Sequence, residues 1–527
     1  VRRRKAVGLI QHRDDPFPAR AHPAYPTGTV DSSAAADPVV LDGRSLTCTD
    51  IARVADRSAA LAVAPGVVEV MIRARDRAAE VAARRPVYGR STGVGAHRST
   101  PLLDPESGAA DLLHSHAVSA GPLRGPGRVR AMLAVRANSL AAGGGGAAPE
   151  LLDAVLELVA RDELPAVREW GSVGTGDLPA LAVTALALPL TLGSANALPF
   201  ISSNAATVAD AALAVVALGQ LADAALVGCA LTFTAVDGNA EAFGDAVGTV
   251  TPFPGARRVA RTVSALVADG PAPARIQDWF GLRTAPQVHG ALLDCLDRLR
   301  AVTEALANAP SENPVFLEPP DPAQPDPAQP DPAQPDPAQP DPAQPDPAQA
   351  DVAHHGGFHL VYLAQALDAA LLALAQSAQL GLSRLVMLSN PDATGLPALL
   401  GGGPPAAAGV MIVEYVAAAA LGELRALASP ASLQTVILSR GVEDGASFAP
   451  LAARQALDAV AAYRTVLACE LLAAVRAVRM RGLAPPHLAA ALDICAPLGR
   501  DTLDRDLTED LATAEGLLGR LSALVVP

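Results

Sequence analysis

The chain has 527 residues and a formal net charge of −14; half of its residues are hydrophobic and only 3% are aromatic. That length supports a large buried core, and the acidic balance argues against nucleic acid or an anionic membrane as a partner. Cys48, Cys229, Cys295, Cys469 and Cys495 are scattered without a CxxC, and His354, His355 and His359 have no neighbouring ligand set, so reduced thiols, no metal centre and a cytoplasmic location are expected.

Residues 1–38 are rich in Pro, Ala and charge without periodicity, the composition of a flexible arm. Gln11–Asp15 interrupts the run that follows Arg2-Arg3-Arg4-Lys5, so no secretory signal is read. Ser45-Leu46-Thr47 precedes a helical pattern over Ile51–Ala64, and a second runs over Val67–Arg84. Val87–Gly95 then places Gly89, Gly93 and Gly95 around Tyr88, a loop that presents a phenol or merely packs one. A phenol has an ordinary pKa of about 10, so service as a base needs a stabilising neighbour, and Arg90 is the nearest candidate. His116, in Leu113-His114-Ser115-His116-Ala117, interrupts an apolar helix; a core or surface role is its plain reading. Asn138 reads as a buried structural amide.

After an apolar helix over Leu151–Val159 comes the stretch Glu169–Leu181, with Gly171, Gly174 and Gly176 around Thr175. Its plain reading is a tight turn between helices, with Asp177 capping the second. Leu178–Phe200 is the most membrane-like run, but Pro179, Pro189 and Pro199 break it, so a buried helix and turn is the better reading. Ala197–Asn204 offers Ser202 and Asn204, and Ala205–Val227 is a long Ala-rich helix. Ile276–Gly290 carries Gln277, Phe280 and Arg283. For Arg283 an internal salt bridge is the plain reading. Ser311–Pro314 precedes Asp-Pro-Ala-Gln-Pro repeats, and 319–350 is read as an extended, solvated insertion. Phe358 follows Gly356-Gly357, and long helices are expected over Leu360–Leu380 and Gly409–Leu427. Glu443, in Ser439–Asp444, is an acid/base candidate whose plain reading is a helix N-terminal carboxylate. Arg454–Leu524 reads as helical scaffold.

Several of these stretches, in this order, resemble the histidine/phenylalanine ammonia-lyase family. Tyr88-Gly89-Arg90-Ser91-Thr92-Gly93-Val94-Gly95 resembles the loop whose Tyr is that family's base, and Ser115-His116-Ala117 the place where His meets the substrate side chain. Gln277-Asp278 through Gln287-Val288-His289-Gly290 resembles the segment whose Arg grips the substrate carboxylate, here Arg283. His355-Gly356-Gly357-Phe358-His359, Thr394-Gly395-Leu396-Pro397 and Val442-Glu443-Asp444 match further motifs. The family's Ala-Ser-Gly triplet, which cyclises into the electrophile methylidene-imidazolone, is replaced by Gly174-Thr175-Gly176 in a stretch one residue shorter. Ser202 stands for an Asn, Phe280 for a Tyr, Gly357 for an Asn and Val442 for a Gln.

The resemblance implies a mostly α fold: an N-terminal lobe over 39–200 carrying the Tyr loop and the Gly-rich loop, then an antiparallel helix bundle over 201–527. It also implies a homotetramer with shared active sites. Catalytic roles fall to Tyr88 and Glu443, and binding roles to His116, Ser202, Asn204, Gln277, Phe280, Arg283 and Phe358. The losses cluster on the electrophile, so the reading is an enzyme of this fold without methylidene-imidazolone. It would carry out elimination, conjugate addition or cyclisation on a carbonyl-bearing or anionic small molecule of specialised metabolism. An aromatic amino acid ammonia-lyase or aminomutase whose Gly174-Thr175-Gly176 still cyclises, and a non-catalytic homologue, are the two alternatives.

Overall fold

The computed structural model describes residues 37–268, 270, 272–317 and 351–525; the N-terminal arm up to residue 36 and the Asp-Pro-Ala-Gln-Pro insertion lie outside the described residues. β1 (Val39–Leu41) pairs in parallel with β2 (Leu61–Val63) across α1 (Cys48–Ala55). α1 opens on a capping box in which the Thr47 hydroxyl accepts the Asp50 N–H and the Asp50 carboxylate accepts the Thr47 N–H. The helix expected over Ile51–Ala64 instead ends at Ala55, because Arg57 turns left-handed at φ 67° and the apolar residues beyond it pair with β1. α2 (Val67–Arg84) has the expected bounds.

α3 (Pro105–His116), β3 (Ala120–Leu123), α4 (Pro126–Ala141), α5 (Pro149–Arg161) and β4 (Arg168–Trp170) follow, β3 running antiparallel to β4. The stretch expected as a plain helix–turn–helix is thus a short strand, a loop over 171–177 and α6 (Leu178–Ala187). α7 (Ala197–Ile201) leads into α8 (Ala205–Ala235), longer than the sequence pattern implied. Then come α9 (Ala246–Val250), α10 (Pro254–Leu266), α11 (Phe280–Arg283), α12 (Ala285–Ala307) and β5 (Val315–Phe316). β6 (Val352–Ala353) pairs antiparallel with β5, so the chain enters and leaves the insertion at one place. α13 (Val361–Leu388), α14 (Pro391–Thr394), α15 (Met411–Leu427), α16 (Ala449–Met480), α17 (Ala489–Ile494) and α18 (Thr508–Ser522) complete the chain.

α8 is the axis of the bundle. It is apolar on nearly every face, and α4, α12, α16 and α18 pack around it. α13 packs on α12, α15 and α16. By length and hydropathy the α8 region and α13 match membrane-spanning helices, although the sequence reading found no such run; 78% and 56% of their apolar windows are buried inside the protein. One hydrophobic core extends from Val39 to Val525. Asn138 is fully buried, as expected: it accepts the Gly43 N–H and donates to the Ala307 carbonyl, tying the N-terminal segment to α4 and α12.

Beneath the Gly-rich loop lies a buried ionic network. Arg128 meets both Asp210 on α8 and Glu169 on β4, and Arg124 meets Asp210 at 2.8 Å. Burial pushes the Asp210 carboxyl up, but the two guanidiniums outweigh it and hold the pKa below the ordinary carboxylate value. The network fixes β4, and with it the start of the loop, to the bundle.

Candidate functional site

Tyr88 sits half-buried with its hydroxyl oxygen accepting the Gly95 N–H at 2.9 Å. Its ring stands edge-on to His354, with centroids 6.5 Å apart. Burial, the largest influence, and then Glu443 set the phenol pKa above its ordinary value, although the Gly95 amide and Arg98 each pull it down. The cation beside the phenol is therefore Arg98 and not Arg90, a correction to the sequence reading. Arg90 is buried, donates to the Gly145 and Gly146 carbonyls and lies over the Phe316 ring at 5.1 Å. Burial without a counter-charge brings Arg90 down to about 10.

Glu443 comes to the same place. A Cβ built on Gly95 would lie 3.5 Å from Glu443 Oε1 and 2.7 Å from Ser439 Oγ. Glu443 is held by the pairing of Leu438 N–H with its carbonyl at 2.8 Å, in a turn well before α16, so it is not the helix N-terminal carboxylate of its plain reading.

The segment 438–448 spans the two loops. At one end Ser439 Oγ accepts the Ala96 N–H at 3.0 Å; at the other, Ser447 Oγ donates to the Gly174 carbonyl at 2.9 Å and the Phe448 N–H to the Val173 carbonyl at 2.8 Å. A Cβ on Gly174 would lie 2.1 Å from Ser447 Oγ and 3.1 Å from the Phe448 nitrogen. Gly174 and Gly176 take φ of 94° and 113°, a region side chains avoid. Ser172 Oγ donates to the Gly176 carbonyl at 3.0 Å. Beyond Thr175, the Asp177 N–H donates to the Ser203 carbonyl at 2.7 Å. The Asp177 side chain does not cap α6 as expected; it accepts the N–H and hydroxyl of Thr207 on α8, and complete burial raises its pKa.

Asn204 Nδ2 donates to the Phe358 carbonyl at 2.9 Å, placing both residues beside α7 and the start of α13. Ser202 is committed elsewhere: its hydroxyl accepts the Asn313 N–H at 2.9 Å. His354 links these parts to Tyr88, because its Nε2 accepts the Tyr88 N–H at 3.3 Å. His116 ends α3, which packs on α6 and α7; its Nδ1 lies 2.8 Å from the Leu112 carbonyl.

Gln277, Phe280 and Arg283 are not brought to this group. α11 packs against the far end of α13, where a Cβ on Gly281 would lie 3.2 Å from Ser383 and Arg384. Phe358 precedes the near end, so the two groups stand roughly 35 Å apart along the helix at 1.5 Å per residue. Gln277 is exposed and Phe280 is 66% exposed. The Arg283 guanidinium lies over the Phe280 ring at 4.9 Å and has no ion pair among the described residues, so the salt bridge of its plain reading is not formed.

Sequence reasoning missed Arg98, Asp177's buried role, Ser439 and Ser447. The paired imidazoles at 354 and 355 were visible only as a group without ligand partners.

The family model for aromatic amino acid lyases matches residues 46–189 and 187–496. The histidine ammonia-lyase of Gloeobacter violaceus is 32% identical over 85% of this chain and 89% of its own length. That of Symbiobacterium thermophilum is 30% identical over 92% and 97%. Among solved structures, the tyrosine aminomutase of Streptomyces globisporus superposes with a TM-score of 0.81 at 25% identity, covering 92% of this chain and 97% of that one. The histidine ammonia-lyase of Trypanosoma cruzi gives 0.79 at 25% identity, over 93% and 96%.

Proposed function

From the premise that this chain belongs to the aromatic amino acid lyase family, we propose a lyase that moves protons through Tyr88 and Glu443 on a carboxylate-bearing substrate, without methylidene-imidazolone. The observation that carries the reading is the 438–448 segment, which sets Glu443 beside the Tyr88 loop at one end and pins the Gly174-Thr175-Gly176 loop at the other. In this reading the residues at the loop do not fit the family's electrophile. Ring closure requires the Gly176 nitrogen to reach the Gly174 carbonyl carbon. That carbonyl is held by Ser447, and Asp177 just beyond is tied to Ser203, so a loop one residue short has no slack. An Ala at 174 would collide with Ser447, and Thr175 would leave a methyl group on the alkene carbon.

The chemistry left to the side chains is elimination beside a carbonyl, or its reverse. Tyr88 acts as the phenolate, which the Gly95 N–H favours against the burial that raises its pKa, and takes the proton from the carbon next to the carbonyl. That C–H pair becomes the new double bond. The leaving group departs from the adjacent carbon and receives a proton from Glu443. Arg283 supplies the carboxylate grip, a fork that suits two oxygens at once. Because it stands roughly 35 Å from Tyr88 along α13, it serves the site of a second copy, and we propose the homotetramer on that support. Phe280, over which Arg283 lies, gives that subsite an apolar wall.

A second reading is favoured by the relatives, which are histidine ammonia-lyases: an aromatic amino acid ammonia-lyase or aminomutase whose loop does cyclise. Cyclisation removes two water molecules. Intact mass spectrometry of the purified chain separates the two. An unmodified mass, with no ammonia released from histidine, tyrosine or phenylalanine, is expected. A loss of two water masses on the peptide holding Thr175 overturns the first reading. Tyr88→Phe is expected to remove turnover with helical content intact; unchanged turnover would end the assignment of the base.

A further inference from the structure

We propose that Ser439 is a positioning residue for Tyr88: its hydroxyl fastens the tip of the tyrosine loop and so keeps the Gly95 amide on the phenol oxygen. The proposal rests on the reading above, in which Tyr88 moves the proton.

Two successive amides of the Gly95–His97 turn point at two hydroxyls. Gly95 N–H donates to Tyr88 Oη at 2.9 Å, within the loop, and Ala96 N–H donates to Ser439 Oγ at 3.0 Å, 343 residues away. Among the described residues, this second bond is the one that ties the loop tip over 93–100 to another part of the chain. Because the two donors are adjacent in a single turn, fixing the second fixes the direction of the first.

Backbone geometry on both sides supports a function for the contact. Ser439 and Arg440 take φ of 51° and 59°, and Gly441 follows at 85°. Consecutive left-handed residues with side chains are costly and persist where the surroundings enforce them, often at functional sites. A turn that only reversed the chain would favour Gly or Asn at the first position; Ser there supplies the acceptor. Across the contact, Gly95 is itself left-handed at φ 54°, and a Cβ on it would lie 2.7 Å from Ser439 Oγ, so the close approach requires Gly on that side. The same turn sets the place of Glu443, whose carbonyl accepts the Leu438 N–H. One residue therefore holds the base loop against the segment that carries the acid. The groups facing the phenol are Glu443 from this turn, Arg98 from the loop and His354 at the ring edge.

The test is a phenol titration read by ultraviolet absorbance within milliseconds of a pH jump, before unfolding, on the full chain. The chain has five tyrosines, and the difference between wild type and Tyr88→Phe isolates the Tyr88 component. Ser439→Gly keeps the left-handed turn without strain and removes the side chain with its hydroxyl acceptor. It is expected to raise the Tyr88 midpoint by about half to one pH unit, the size of one lost hydrogen bond, and to speed trypsin cleavage after Arg98. A purely structural Ser439 would change stability and leave the midpoint in place. An unchanged or lowered midpoint, with the Tyr88 component present, overturns the positioning role alone. Retained turnover in Tyr88→Phe overturns the reading beneath it.

Discussion

Inside the bundle, His289 Nε2 lies 2.9 Å from the Ala222 carbonyl and Nδ1 lies 2.7 Å from Ser377 Oγ, which meets Tyr463 Oη at 3.1 Å. The carbonyl only accepts, so Nε2 carries the proton, Nδ1 accepts from Ser377, and Tyr463 donates to Ser377. Burial, and then the nearby Arg384, push the imidazole down to about 4. The unfolded chain takes up this proton near pH 6.5, so between pH 6.5 and 4 the unfolded state binds more protons than the folded one. His289 thus contributes stability above about pH 6.5 that is lost as the pH falls, by roughly 1.4 kcal/mol per pH unit across that window. Urea unfolding at stepped pH should show this slope, and His289→Gln, which keeps a donor and an acceptor, should lose about one proton's worth of it. An identical slope in the variant would assign the acid sensitivity to the carboxylates. His289 stands in the motif stretch ending at Gly290, where sequence reasoning assigned it no role, and its contacts serve the bundle. Tyr88 and Glu443 stood out as candidates in the sequence because each sits in a local pattern of glycines or acids. Asp177, Ser439 and Ser447 were not, because their partners lie 30, 343 and 273 residues away.

The helices meet through glycines that the sequence marks only as gaps in an apolar pattern. Where α10 crosses α12, a Cβ on Gly255 would lie 2.1 Å from the Gly290 carbonyl oxygen, and one on Gly290 would lie 2.5 Å from the Ala256 nitrogen. Both obstacles are backbone, which cannot swing aside as a flexible side chain can. Gly290→Ala should therefore cost about 1–3 kcal/mol or more, the range of overpacked cores, even though Ala is the better helix former by about 1 kcal/mol. A midpoint in urea unchanged from wild type would show that α10 and α12 slide apart freely. Gly422 on α15, where an added Cβ meets nothing within 4 Å, is the matched control and should gain stability on substitution by Ala. At this scale helical periodicity was a good guide: α2 and the end of α15 fall where expected. The short elements were not. β2 was absorbed into a helix because Leu61–Val63 continues the apolar pattern of α1, and only its pairing with β1 makes it a strand. The strands β3 and β4 needed a partner from outside their own stretch in the same way.

For the whole molecule, the separation of Tyr88 from Arg283 is the strongest constraint. Two groups assigned to a single substrate cannot serve it from opposite ends of α13, a continuous helix from Val361 to Leu388. Outward faces of the same helices carry large apolar side chains: Tyr362 at 72% exposure on α13, and Ile412 and Tyr415 at 60% and 68% on α15. Such faces on core helices suit contact with other copies of the chain. Light scattering after gel filtration should therefore give a mass near four times 53.4 kDa, and the double variant Ile412→Asp, Tyr415→Asp should shift it to smaller species with helical content retained. The functional consequence follows from geometry. If Arg283 of one copy serves Tyr88 of another, Tyr88→Phe and Arg283→Ala are each inactive alone. Co-expressed, they assemble sites that hold both native residues and recover a fraction of the turnover. If the proton-moving site is complete within one chain, mixing restores nothing and the dissociated double variant stays active. A stable monomer with full turnover would move the carboxylate grip from Arg283 to a cation near Tyr88, with Arg98, whose charge acts on the phenol, as the first candidate.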